Sequence, residues 1–316
     1  MFRYDDLCRH PTAFPSLTGL NRAEFDELVP RFERALAAQR AGSATTRREG
    51  RPRVNAPGAG PRHAHDARNR LLMALVWLRI YPTYEVLGFF FGLHKRNAQL
   101  NVRAALAALD SLDDFPSDRP SRERPKLRSA AEVMAAFPQV RLVIDGKEQR
   151  VNRPQGHDAQ KPYYSGKKKA HTVKVQVVVD TRGRIEAIGP SVPGGANHDL
   201  TLLRGSGVLE SLGEGEAAML DRGYVGVGNY YPGVPVVIPF RASKGRPLTD
   251  DQKASNRVIA GYRIVVEHTM AQLNRFTVLR QVFRGQKRER HTEVVRVVGK
   301  LVNRRLAVRP LKTYAA

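Results

Sequence analysis

One cysteine, Cys8, is all the thiol this chain contains. A lone thiol builds neither a disulfide framework nor a cysteine-rich zinc site, so a reducing compartment is expected. Long apolar runs are missing too. The most apolar stretch, Leu71 to Ile80, falls well short of the ~20 residues that a membrane span requires. The opening Met-Phe-Arg-Tyr-Asp-Asp lacks the pattern of a signal peptide, and a soluble cytoplasmic protein is expected. No P-loop occurs, so nucleotide hydrolysis is not implied, and the nine histidines form neither HExxH nor another paired-ligand spacing. Negative charge is scarce: 30 Asp and Glu face 53 Lys and Arg, a formal net charge of +23. That excess does not choose a fold, but it favours a polyanionic partner. Arginine outnumbers lysine 40 to 13. Its planar fork suits phosphate, although GC-rich codons give the same ratio.

What is present divides the chain. A hydrophobic share of 41% over 316 residues supports a real core and about two domains. Residues 17 to 38 read as a helix, with Thr18 as its cap and Phe25, Leu28, Val29, Phe32 and Leu36 at helical spacing. Residues 40–64 lose that period and carry Arg47, Arg48, Arg51 and Arg53. This is a basic linker, read either as a solvated loop or as an arm that tracks DNA. Asp66 opens a buried-looking helix to residue 80, which Pro82 stops. Thr83 to Phe91 gives a second helix, Gly92-Leu93-His94 a turn, and Lys95 to Asp110 a third. Helix, short glycine turn and helix with a basic start is the helix-turn-helix pattern, here within 66–110. Its second helix would present Lys95, Arg96, Gln99 and Arg103 to base edges and phosphates. A plain three-helix packing unit is the alternative. Pro116, Pro120 and Pro125 mark a further linker over 112–128. The expected division is an N-terminal helical DNA-binding region over 1–128 and a new domain from about residue 129.

Beyond it the period changes from helix to strand. Strands are expected over 139–144, 171–179, 184–189, 217–220 and 235–240, with a hairpin turn at Asp180–Gly183 and a long amphipathic helix over 255–276. Together they imply an α/β domain with a mixed five-stranded sheet and flanking helices. Three acids fall at telling places: Asp145 where the first strand ends, Asp221 after the fourth, and Glu267 on the long helix. Three carboxylates gathered by a fold are what a pair of Mg²⁺ ions needs to cut a phosphodiester. A single Asp beside a Gly is more often a turn or a cap, so only the conjunction points to a site. Asp199 is the rival second ligand. It follows His198 at a helix start, where an Asp commonly caps, and capping, support of the site and metal ligation all stay open. His198 and His268 flank acids and read as polar support. Arg263 lies four residues before Glu267 on one helix face, suited to an ion pair or a phosphate contact. Lys167, Lys168 and Lys169, beside Tyr163 and Tyr164, line a DNA channel or form a solvated charge run. Arg284 to Arg309 holds nine basic and two acidic residues around a repeat of Val294, Val297, Val298, Leu301 and Val302, which reads as a helix with a basic face.

Four phrases carry a resemblance: Val143-Ile-Asp-Gly146, Pro193-Gly-Gly-Ala-Asn-His-Asp199, Leu220-Asp-Arg-Gly-Tyr224 and Arg263-Ile-Val-Val-Glu-His-Thr-Met-Ala-Gln-Leu-Asn-Arg-Phe276. In this order they resemble the DDE-type, RNase H-like transposases, above all those of the bacterial insertion sequences of family five, and the Harbinger-type enzymes that share their endonuclease domain. With the helix-turn-helix, the resemblance covers nearly all of residues 15–285. It implies an RNase H-like catalytic domain over 129–285 and a basic C-terminal helix or tail over 286–316. It implies that Asp145 bridges two Mg²⁺ ions, for which Mn²⁺ can substitute, with Asp221 and Glu267 each holding one side. It implies DNA contacts by Arg222, Arg263 and Arg275; Asn274 departs from the Lys common in related groups, which leaves the role of Arg275 open. The implied activity is transposition. The protein would bind terminal inverted repeats on double-stranded DNA, cleave phosphodiesters at the element ends and transfer the 3′-hydroxyl ends to target DNA. A homo-oligomer on DNA, associated with the nucleoid, is expected, with no membrane partner. The alternatives are a catalytically silent transposase-derived DNA-binding protein and a DDE nuclease without strand transfer.

Overall fold

A computed structural model of the chain describes residues 2–45, 65–112, 139–243, 245–285 and 287–308. Residues 46–64 and 113–128 of the expected linkers, and the expected domain start near residue 129, lie outside them. The chain divides into two units, Met1–Asp114 with Arg275–Val278, and Phe115–Asn274 with Leu279–Ala316. Among the described residues no helix is long and apolar enough to cross a membrane.

The first unit is helical: α1 (Tyr4–Cys8), α2 (Ala13–Thr18), α3 (Arg22–Thr45), α4 (Ala67–Ile80), α5 (Tyr84–Phe91) and α6 (Lys95–Asp110). The single helix expected over 17–38 is two helices with a break between them. Gly19 ends α2 at φ 82°, a conformation that a β-carbon resists. Thr18 does not cap the following helix; its hydroxyl donates back to the Phe14 carbonyl at 2.7 Å. The true cap is reciprocal. Asn21 Oδ1 accepts from the Glu24 amide at 2.8 Å, and the Glu24 carboxylate accepts from the Asn21 amide at 2.7 Å. Phe25, Leu28, Val29, Phe32 and Leu36 are buried, as their spacing requires. α3 then runs on to Thr45, into the first residues of the expected linker. α4 is buried on every side from Arg70 to Leu78, because it is apolar all round. Asp66 caps it through the Asn69 amide at 2.8 Å, and Tyr81 in the left-handed region ends it before Pro82. Thr83 caps α5, and Gly92, also left-handed, closes it.

The second unit is a mixed sheet with flanking helices. Its strands are β1 (Val140–Arg150), β2 (Tyr164–Ser165), β3 (Ala170–Asp180), β4 (Ile185–Ile188), β5 (Val192–Pro193), β6 (Ala217–Leu220) and β7 (Val236–Val237). Its helices are α7 (His157–Gln160), α8 (Asp199–Arg204), α9 (Asp250–Asn274) and α10 (Arg288–Val308). The sheet path is β2-β3-β1-β6-β7, with β4 and β5 also paired to β3. Each of the five expected strands has a counterpart, that over 235–240 only as the two-residue β7; the two-residue β2 and β5 bring the number to seven. β1 runs antiparallel to β3 and parallel to β6. The hairpin forms as expected: Asp180 Oδ1 accepts from the Arg182 and Arg184 amides at 2.9 and 2.8 Å, and Gly183 takes φ 81°. The basic C-terminal segment is no loose tail, since α10 buries Val294, Val295, Val298 and Val302.

β1 departs furthest from expectation. It does not stop at Asp145 but continues to Arg150. Parallel pairing with β6 ends at Ile144 opposite Leu220, after which β3 alone carries the ladder to Arg150 opposite Thr172. The pleat explains how polar residues extend it. Successive side chains alternate between faces. Leu142 and Ile144 pack with Val178, Leu203, Leu220 and Tyr224 on the face that α8 covers. Asp145, Lys147 and Gln149 take the opposite face, where α9 and α10 answer them. Lys147 Nζ donates to Asn274 Oδ1 at 2.6 Å, and Gln149 Oε1 meets His291 Nε2 at 2.9 Å.

Candidate active site

The last parallel pair, Ile144 opposite Leu220, sets the site. Asp145 and Asp221 follow at one level on strands that neighbour each other at about 4.8 Å. The carboxyl ends of parallel strands are where open α/β sheets take ligands. Asp145 accepts from the Gly146 amide at 2.8 Å. Asp221 accepts from the Arg222 amide at 2.5 Å and from the Arg263 guanidinium on α9 at 2.7 Å. Burial pushes the Asp145 carboxyl above its ordinary range; the Gly146 amide and Arg263 draw it down, while Asp221 and Asp199 raise it further. Like charges are therefore held together around Asp145, with Arg263 the cation nearest to compensating them.

Asp199 enters from the other side. α8 begins with it, yet the residue in the capping position is His198 and its side chain makes no cap. The Asp199 carboxylate is held instead by Lys174 Nζ at 3.2 Å. A β-carbon added to Gly146 would lie 2.6 Å from one Asp199 oxygen, and one added to Gly223 would lie 2.6 Å from the other. The two glycines of Asp145-Gly146 and Asp221-Arg222-Gly223 thus leave the slot that Asp199 fills. Gly146 faces the α8 side of the sheet, opposite to Asp145. Asp199 therefore abuts both aspartate-bearing segments from the face away from Arg263.

Glu267 is exposed on α9, one turn beyond Arg263 and on the same face. Asn274, the partner of Lys147, lies seven residues further along that stripe. Among the described residues, no three His, Cys, Asp or Glu side chains are grouped closely enough to hold a metal ion. Asp145 and Asp221 are brought together and Glu267 is not. Two carboxylates in like-charge proximity at a strand end offer the oxygen donors that a hard divalent cation takes. That pair of carboxylates fits a hard divalent cation, and Glu267 stands apart from it on α9.

The basic residues fall into separate places. Lys95, Arg96, Gln99 and Arg103 share the exposed side of α6, Lys95 lying 3.8 Å from Glu85. Lys167, Lys168 and Lys169 are exposed ahead of β3, Lys169 at φ 47°. Arg222 is exposed beside Asp221, whereas Arg263 is half-buried against it. Arg275 is exposed and opens the short segment that groups with the first unit; its carbonyl accepts from Arg79 there. His198 is exposed at the start of α8, and His268 is half-buried on α9. Sequence reading missed Lys174 and the slot. The signal was present as two glycines, each within two residues of a candidate acid.

Residues 144–303 match the family model described as DDE superfamily endonuclease. A probable transposase for insertion sequence element IS702 from Microchaete diplosiphon is 30% identical over 234 residues, covering 73% of this chain and 78% of that relative. No solved structure matches this chain.

Proposed function

The chain belongs to the DDE superfamily endonucleases, with a relative among the transposases of insertion sequences, and from that premise we propose that it is a DNA transposase whose metal ligands are Asp145, Asp221 and Glu267. The observation that carries this reading is Arg263. It comes from the helix bearing Glu267, binds Asp221 at 2.7 Å and offsets part of the burial that raises the Asp145 carboxyl, so one cation ties that helix to the two aspartates. Two Mg²⁺ ions, or Mn²⁺ in their place, supply the activated water or 3′-hydroxyl and the stabilised leaving 3′-oxygen when bound.

The chain's own residues prepare that site. Arg263 holds the Asp221 carboxylate in place and contacts a DNA phosphate. Lys174 anchors Asp199 on the far face, where its bulk spaces the turns after Asp145 and before Tyr224. Asp199 is thus a positioning residue. The catalytic domain is RNase H-like. In the first 128 residues α5, the turn at Gly92–His94 and α6 act as a helix-turn-helix, and Lys95, Arg96, Gln99 and Arg103 bind the terminal inverted repeats. Lys167, Lys168, Lys169, Arg222 and Arg275 add backbone contacts. Joining two ends requires two active sites, so a homo-oligomer assembles on the DNA, at the nucleoid in a bacterial cytoplasm.

The test is a labelled terminal-repeat duplex with Mg²⁺ and an unlabelled target. Nicked ends and joined product are both expected. Nicking without joined product would make the protein a nuclease without strand transfer. Binding without nicking would make it a silent DNA-binding descendant.

A further inference from the structure

A cavity of about 480 Å³ opens in the second unit, outside the acid cluster. Arg153, just after β1, stands on its rim with Arg284, Lys287 and Arg288, which lead into α10. All four are exposed, and no residue lining the cavity is acidic. Four cations thus border one hollow whose described lining holds no carboxylate.

The floor is of another kind. Val173 and Phe283 are buried there, and the half-buried Tyr163 forms a wall. Phe283 is fixed in place: its amide donates to the Arg150 carbonyl at 2.9 Å, and its ring meets His291 edge-on with centroids 5.0 Å apart. His291 is held in turn by Ser191 Oγ at 2.7 Å and Gln149 Oε1 at 2.9 Å. The cavity is thus preformed, with an apolar and aromatic floor under a cationic rim.

That pairing selects a ligand. A phosphate alone would use the rim and leave the floor empty. Duplex DNA offers phosphates but keeps its bases stacked inside. An unpaired nucleotide presents a phosphate and a free π-face together, and aromatic walls with nearby cations are how single strands are held. The volume lies within the range of roughly 300–1,000 Å³ that accommodates a whole small ligand.

We propose that this cavity binds an unpaired nucleotide of a DNA strand, with its phosphates on Arg153, Lys287 and Arg288 and its base against Tyr163 and Phe283. The inference rests on DNA being the substrate of the acid site and adds a second place where the strand is held.

The experiment is fluorescence anisotropy with the full-length protein in EDTA, so that no cleavage intervenes. The probes are a labelled oligothymidine single strand and a blunt duplex of the same length. Lys287→Gln with Arg288→Gln should weaken single-strand binding about tenfold and reduce its salt slope by about 1.4, at roughly 0.7 per phosphate contact. Duplex binding should change by less than about twofold, because a double strand keeps its bases out of the cavity. Tyr163→Ala should also weaken the single strand about tenfold, whereas Tyr163→Phe should not. Equal losses on both probes, or losses on neither, would overturn the proposal. So would displacement of the strand by free thymidine monophosphate at matched phosphate concentration, since the cavity would then be a mononucleotide site. The readout is binding alone, in a buffer where no cleavage can occur. A failure to cleave, which would sink the transposase reading, therefore leaves this result unmoved.

Discussion

β1 carries two kinds of buried polar side chain, only two residues apart. Lys147 and Gln149 each have a dedicated partner of opposite hydrogen-bonding character: Asn274 Oδ1 for the ammonium, and the Gln281 carbonyl and His291 for the amide. Asp145 has the reverse. Its neighbours Asp221 and Asp199 are carboxylates that raise it, and its compensation comes from one amide and an arginine shared with Asp221. The first arrangement is matched and serves the fold. The second holds charge in a conflict that the fold alone does not need, and unmatched charge of this kind clusters at functional sites. Both lie on one face of one strand, and their partners set them apart.

The largest effect expected from breaking this contrast is at Asp145. Asp145→Asn should lower metal-dependent cleavage by more than about 10³, equivalent to about 4 kcal/mol of barrier. It should not weaken the fold. The folded carboxyl lies above its unfolded value, so the folded state binds the proton more tightly and stability falls as pH rises through that window. Removing the charge at neutral pH relieves this penalty, and the thermal midpoint of Asp145→Asn should equal or exceed that of the unsubstituted protein. A clear drop in the midpoint would place Asp145 among the matched, structural groups.

Lys147 should behave in the opposite sense. Burial drives its amine down to about 8 from 10.5, with Lys168 adding to the shift. Below that value both states carry the charge and the folded state bears the full desolvation penalty. As pH rises from about 8 to 10.5 the unfolded chain holds a proton that the folded one has lost, and stability rises by roughly 3 kcal/mol. Lys147→Met should lack this rise; denaturant titrations at pH 7.5 and 10 would measure it. His291 provides the acid counterpart. Burial, helped by Lys147, holds it down to about 3 from 6.5. The unfolded chain takes up that proton below pH 6.5, so stability should fall by about 1.4 kcal/mol per pH unit towards pH 3, and His291→Gln should flatten the slope.

The smallest effect concerns the slot. Gly146→Ala would place a methyl group 2.6 Å from the Asp199 carboxylate. Overpacking of that kind costs about 1–3 kcal/mol. Asp199→Gly in the same chain should restore most of the loss. A double-mutant cycle by chemical denaturation measures the coupling, and strictly additive losses would deny the contact.

The residues that were legible in the sequence are those whose local chemistry decides their structure. Asp66 caps, Pro82 and Gly92 end helices, and Asp180–Gly183 turns the hairpin. Ala217–Leu220 is a strand because it is short, apolar and bounded. What was not legible depends on partners distant in the chain. β1 seemed to end at Asp145 because Gly146–Arg150 is polar; the strand continues because Asn274 and His291, more than a hundred residues on, satisfy Lys147 and Gln149. Thr18 resembled a cap because the local pattern does not reveal that Gly19 turns left-handed and breaks the helix. Asp199 was visible as a rival acid, but the face from which it approaches follows only from pleat and register.

On the proposed assignment Asp221, and not Asp199, works with Asp145 on the metal. Single-turnover cleavage of a labelled terminal-repeat duplex at saturating Mg²⁺ tests it most directly, with Asp221→Asn and Asp199→Asn compared side by side. Asp221→Asn should abolish cleavage at every Mg²⁺ or Mn²⁺ concentration, while Asp199→Asn should retain cleavage at a reduced rate. Abolition by Asp199→Asn with activity surviving in Asp221→Asn would contradict the account and move the second metal ligand to the other face of the sheet.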